Sequence, residues 1–180
     1  MLQITLPAIE QWNEAKQEFV QTKGQTLQLE HSLVSLSKWE SKWNKPFLTK
    51  DAKTNEETLD YIKCMTINQH VDPDVYNGLN MDHIRMINSY IEAPMTATTF
   101  NESKQNRHSR EIITSELIYY WMIALNIPFE CQKWHLNRLL TLIRVCNIKN
   151  TPPQKMSKQA TARQYAQLNA ARKQRMNTKG

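Results

Sequence analysis

The stretch 111–150, EIITSELIYYWMIALNIPFECQKWHLNRLLTLIRVCNIKN, constrains the fold more than any other part of the chain. In its first half Ile112, Ile113, Leu117, Tyr120, Trp121, Ala124 and Leu125 recur at the three- and four-residue steps that put side chains on one helical face. In its second half Trp134, Leu136, Leu139, Leu140, Ile143 and Val145 to Ile148 repeat the pattern. Between them Pro128 supplies a first-turn proline and Glu130 an acid near the positive end of a helix. The spacing predicts two antiparallel helices joined by a tight proline turn, with a wide aromatic face that needs cover. This hairpin is expected to be the scaffold of a mainly α-helical single domain over 1–150.

The rest of the chain is punctuated by local signals. Over 2–30 the period is two: Leu2, Ile4 and Leu6 alternate with polar residues, Phe19 and Val20 follow, and Leu27 and Leu29 flank Gln28. With Gly24 as a turn residue this reads as a small β-hairpin or meander, with a short helix over 9–18 as the alternative. From Ser32 the period becomes helical through Leu33, Leu36, Trp39, Glu40 and Trp43, up to a stop at Pro46. Thr54 and Glu57 form a capping box that opens a second helix running to about Ile67. Asp72-Pro73-Asp74 starts a short helical turn ending near Gly78, and Asn80 with Asp82 opens a helix through Ile84, Ile87, Tyr90 and Ile91 that halts before Pro94. Residues 95–100 are β-tolerant and polar, and 101–110, NESKQNRHSR, read as a mobile loop. Asn150-Thr-Pro-Pro153 cannot continue a helix and forms a linker. Ser157 then caps a basic C-terminal helix over 151–180, solvent-exposed and able to order on a partner.

Charge is distributed unevenly along this layout. The formal net charge is +6, but Glu130 is the last acid; beyond it stand eleven Lys or Arg, against twelve basic and seventeen acidic residues over 1–130. A block of one sign contacts an oppositely charged surface, or it is a solvated tail kept in solution by its charge. The three glycines, Gly24, Gly78 and Gly180, leave no material for Gly-rich phosphate loops, which excludes nucleotide binding of the P-loop or dinucleotide type. Three sparse cysteines, Cys64, Cys131 and Cys146, fit a reducing compartment. The apolar run 117–129 is too short to span a bilayer, and residues 1–10 lack the basic start of a signal peptide, so no membrane partner is expected.

Candidate chemistry is thin. Cys131 and His135 would be an i, i+4 ligand pair on a helix, but Cys146 on the same helix lies about 22 Å away at 1.5 Å per residue, so a third ligand is missing. The other histidines are scattered among polar residues, and Glu56, Glu57, Asp72, Asp74 and Asp82 serve helix starts. No enzyme motif, metal site or cofactor is expected. The bases Lys149, Lys155, Lys158, Arg163, Arg172, Lys173, Arg175 and Lys179 could neutralise phosphates. With Tyr165 as their only aromatic, any nucleic-acid binding would be non-specific.

The stretches TLQLEHSLVSLSKWESKWNKPFL (26–48), REIITSELIYYWMIALNIPFECQKWHLNRLLTLIRVCNIKN (110–150) and LNAARKQRMNTKG (168–180) resemble a family of small proteins from tailed bacteriophages and prophages. Its members sit among structural and tail genes, and their size, helical content and charged C-terminus are similar to those of tail assembly chaperones. The resemblance implies a non-enzymatic protein of the host cytoplasm or the virion. Such a chaperone coats the tape-measure protein and helps to recruit tail-tube subunits, with other tail proteins or further copies of itself as additional partners. A structural tail or neck component and a DNA-binding accessory factor are the rival classes. Partner contact is assigned to Trp43 and Tyr119, aromatics near helix edges of the kind enriched at interfaces, and to Lys155, Lys158, Arg163, Arg172, Lys173 and Arg175. Trp121 is expected in the core.

Overall fold

A computed structural model describes residues 1–13, 17–100, 111–151 and 158–176. The chain is mainly helical with a small antiparallel N-terminal sheet. It divides into two units, Met1–Asn147 and Ile148–Gly180.

The first unit opens with β1 (Leu2–Leu6), β2 (Ile9–Asn13), β3 (Glu18–Thr22) and β4 (Gln25–Leu29). β2 pairs with β3 inside the pairing of β1 with β4, so the four segments make one long hairpin. Residues 9–13 are therefore strand, and the helix alternative over 9–18 is not formed. Gly24 also sits elsewhere than expected: it lies where the ladder breaks opposite Pro7, and a Cβ there would come within 3.1 Å of Ala8 N and Leu6 O. The glycine serves close backbone approach beside a proline that cannot donate to the ladder. Alternation does the rest, since Ile4, Leu6, Leu27 and Leu29 are buried while Thr5 and Thr26 share a 3.0 Å hydroxyl bond on the exposed face.

Helices α1 (Leu33–Trp43), α2 (Asn55–Met65) and α3 (Met81–Glu92) begin on Ser32, Thr54 and Asn80, each in a capping box. Before α3, a 3-10 helix, Pro73–Gly78, starts on Asp72, whose carboxylate accepts from the Asp74 amide. α2 stops at Met65, two residues early, because the chain leaves it to run beside β4: Glu30 donates to Met65 O and Ile67 to Gln28 O, both at 2.9 Å. Asn68 continues this edge with its side chain, bonded to Gln28 N and Thr26 O. α1 ends on Asn44 at φ 51°, which reverses the chain two residues before Pro46.

The stretch 111–150 is not a tight helical hairpin. α4 (Ser115–Ala124) ends before Asn126, which takes φ 53°; a separate 3-10 helix, Phe129–Lys133, follows, and α5 (Leu136–Asn150) starts after it. Trp134 and Cys131 thus precede α5, and Cys131 and Cys146 occupy different helices. The α4 face is also out of phase with the expectation: Ser115, Ile118 and Met122 are buried, whereas Ile112, Tyr120 and Ala124 are exposed. In α5 the expected Leu136, Leu139 and Ile143 are the buried positions. α1 is the hub of the helices, with its main contacts on α2, on α4 and on the 129–133 turn.

The second unit carries α6 (Lys158–Met176), whose described side chains are exposed apart from Thr161. The expected loop 101–110 and most of the linker with Ser157 lie outside the described residues.

Candidate functional site

The buried polar groups of the first unit converge on α1 and its neighbours. Glu40 lies on the apolar stripe of α1, only 7% exposed, and its two carboxylate oxygens accept from Phe47 N at 2.8 Å and Ser115 N at 2.7 Å. It therefore ties the 44–47 reversal to the N-terminus of α4, where a negative charge meets the positive end of the helix dipole. Glu57 of α2 caps its own helix through Thr54 N and takes Lys45 Nζ at 2.7 Å. The Lys45 bond, followed by the Thr54 amide, holds its carboxyl below the usual range. The backbone oxygen of Glu57 accepts Trp39 Nε1 at 2.9 Å, a further link from α1 to α2.

A histidine pair closes the other side of the core. His31 and His135 rings lie 5.1 Å apart, edge to face. His31 Nδ1 and the Tyr61 hydroxyl share a 2.5 Å hydrogen bond, and burial, helped by the neighbouring His135, pushes the His31 pKa down to about 3. His135 Nε2 bonds the Tyr90 carbonyl at 2.9 Å, which requires Nε2 to carry the proton; Nδ1 then accepts from Asn137 N at 3.3 Å and caps α5. The Tyr90 hydroxyl donates to Glu30 at 2.7 Å, and burial followed by that carboxylate raises its pKa. These rings are hydrogen-bonded parts of the core, and the Tyr90 hydroxyl carries the contact to the Glu30 carboxylate.

Cys131 and His135 do not share the one helix expected from the sequence. Cys131 lies in the 129–133 turn, and His135 bridges to Ser32 in an extended segment. Among the described residues no group of three or more His, Cys, Asp or Glu is placed to hold a metal.

The residues assigned to partner contact are spread over both units. Trp43 is half-buried, stacked at 6.2 Å on Trp39, with Nε1 donating to Asp60 Oδ2 at 3.0 Å. Asp60 also takes Lys42; burial alone would raise its pKa, but Lys42 and Trp43 together lower it. Tyr119 is half-buried, its hydroxyl donating to Gln132 at 2.9 Å and its ring 6.5 Å from Phe129. On α6, Arg163, Arg172, Lys173 and Arg175 are exposed, the last three in the final turns where cations suit the helix dipole. Lys158 begins α6, and Lys155 lies outside the described residues. Trp43 and Tyr119 stand on α1 and α4, so the structure supplies aromatic edges on the first unit and a basic helix in the second.

The sequence places Glu40 on the α1 stripe without giving it a role, and offers no role for His31 or Lys53. A carboxylate in register with Leu33 and Leu36 was the available signal for Glu40. Lys53 Nζ sits 4.3 Å from the Phe47 ring centroid, a cation–π contact with no motif to announce it. No helix among the described residues is long and apolar enough to cross a membrane. No protein-family model, curated protein or solved structure matches this chain.

Proposed function

We propose that this chain is a non-enzymatic morphogenesis protein of tailed bacteriophages, a tail assembly chaperone that binds the tape-measure protein while the tail is built. The observation that carries the reading is α6: nineteen residues of helix with only basic charges and almost every described side chain in solvent. A helix without a buried stripe adds little to a core and is free to bind. The phage-family resemblance supplies the kind of partner, and the half-buried Trp43 and Tyr119 offer the aromatic anchors that hold a helical client.

Co-expression with the tape-measure protein of the same phage, followed by capture through an affinity tag on the full chain, tests the proposal. Stoichiometric co-purification at low salt is expected, and its absence overturns the chaperone reading. Deleting 151–180 leaves thermal unfolding cooperative and reduces capture; loss of folding would assign those residues to the core.

Two contacts favour nucleic acid as the second reading. Arg138 stacks on Trp134 at 4.2 Å and Arg144 on Phe100 at 4.0 Å, so α5 holds two ordered guanidinium groups in the acid-free part of the chain. Binding of this kind is non-specific and falls steeply with salt. A filter-binding titration with no affinity at low salt removes it, and presence of the chain in purified particles would favour a structural virion role instead.

A further inference from the structure

Two surfaces of the Met1–Asn147 unit are open to solvent and complementary in chemistry. One is a groove of about 230 Å³ between α2 and α3, lined by Phe47, Tyr61, Ile84, Ile87 and Ile91, with Lys53 as its charged residue. Ile84 and Ile91 are only half-buried, so the α3 stripe is incompletely covered. Among the described residues Lys53 makes no ion pair, and burial pushes its pKa down against the opposing pull of Glu57 and Asp51. An incoming carboxylate would relieve a partly desolvated ammonium of this kind.

The other surface is the outward face of α4. Glu116, Tyr120 and Ile123 follow at steps of four and three residues, with Tyr120 63% and Ile123 62% exposed. The Glu116 carboxyl is held below its ordinary pKa by its own amide and the Thr114 hydroxyl, so it stays charged. Among the described helices α4 alone places two large apolar side chains this exposed on one face with an acid.

We propose that the Glu116–Tyr120–Ile123 face of one copy seats in the α2–α3 groove of a second copy, with Tyr120 against the isoleucines and Glu116 beside Lys53. Length fits: Ile84 to Ile91 and Glu116 to Ile123 each advance seven residues, about 10.5 Å of helix at 1.5 Å per residue. Size fits as well, since small-molecule sites run to roughly 300–1,000 Å³ and this groove is smaller, suited to an aromatic side chain. Residues 131–180 carry no Asp or Glu, so no side chain there supplies the carboxylate. Different patches meet in such a contact, and copies therefore add head to tail until a ring closes or a filament grows.

Sedimentation velocity of the full chain over a concentration series tests the pairing. Association that rises with concentration is expected. Tyr120→Ala, Lys53→Glu and Glu116→Lys should each weaken it at least about tenfold, about 1.4 kcal/mol. An equimolar mixture of the two charge variants should associate again, because each then meets a groove of opposite sign. Circular dichroism checks that the variants fold, and Tyr120→Ala, altering an exposed side chain, decides the matter if a charge variant does not. A wild-type chain that stays monomeric, or association that these substitutions leave unaltered, overturns the proposal. Association lost in Lys53→Glu but kept in Tyr120→Ala and Glu116→Lys gives the groove a different occupant and also overturns it.

Discussion

α1 and α6 use the same secondary structure for opposite ends. α1 has eleven residues and α6 nineteen, yet the shorter helix buries Leu33, Ser35, Leu36, Trp39 and Glu40 while the longer has no described side chain in the buried class. α1 is capped at both ends and tied by polar side chains to α2 and α4; α6 relies on Ala, Gln, Arg and Lys, which favour helix without tertiary help. Length measures neither role. What separates the two helices is a stripe of apolar positions with one buried acid in it, against an even scatter of small, polar and basic residues.

The sharpest way to break the comparison is to remove that acid. Glu40→Ala leaves the Phe47 and Ser115 amides without acceptors in a dry site, and each orphaned buried donor costs about 1–3 kcal/mol. Chemical denaturation should show a loss of about 2–4 kcal/mol with an unchanged slope on denaturant, and Glu40→Gln, which keeps one acceptor oxygen, should lose less. A loss too small to measure would mean that α1 is not the tie between the 44–47 reversal and α4.

Acid probes the same tied region from another side. The unfolded chain protonates His31 near its ordinary value of 6.5, while the folded chain resists until about 3. Unfolding therefore takes up a proton between those values, and stability falls as pH drops, by up to about 1.4 kcal/mol per pH unit. Glu57 and Asp60, whose pKa values are lowered, add loss in the same direction only below their ordinary values of 4.5 and 3.8. The interval from 6.5 to 4.5 consequently isolates histidine. Denaturation midpoints across it should slope for the native chain and flatten in His31→Gln; an unchanged slope in that variant would assign the proton uptake elsewhere.

How much of this was legible depends on how local each signal is. Thr54, Asp72 and Asn80 announced their helices because a cap is satisfied within three residues. The α4 face was misphased because LIYYWMIA is apolar all round and contains no polar side to set the phase; the partner, α1, sets it instead. Pro128 and Glu130 look like the start of the second helix, yet they open only the separate 3-10 turn Phe129–Lys133, and α5 begins at Leu136. His31 stands between Glu30 and Ser32 and looks exposed in sequence. Its burial comes from Tyr61 and His135, 30 and 104 positions away, which meet only when the strands and helices assemble. Of the two amides that fix Glu40, that of Ser115 lies 75 residues away.

The smallest expected effect falls on α6. Leu168 is 46% exposed on that helix, and Leu168→Ala exchanges one strong helix former for a stronger one while removing little buried surface. Stability should change by less than about 0.5 kcal/mol, as for surface positions in general, and far-ultraviolet circular dichroism should keep its helical signal. A loss near the 2–5 kcal/mol that a core leucine forfeits would place Leu168 against a packed surface. α6 would then belong with α1, as a helix held by its burial, and its basic side chains would decorate a structural element. A null result keeps the two helices apart and leaves the basic face of α6 free to vary with its partner without cost to the fold.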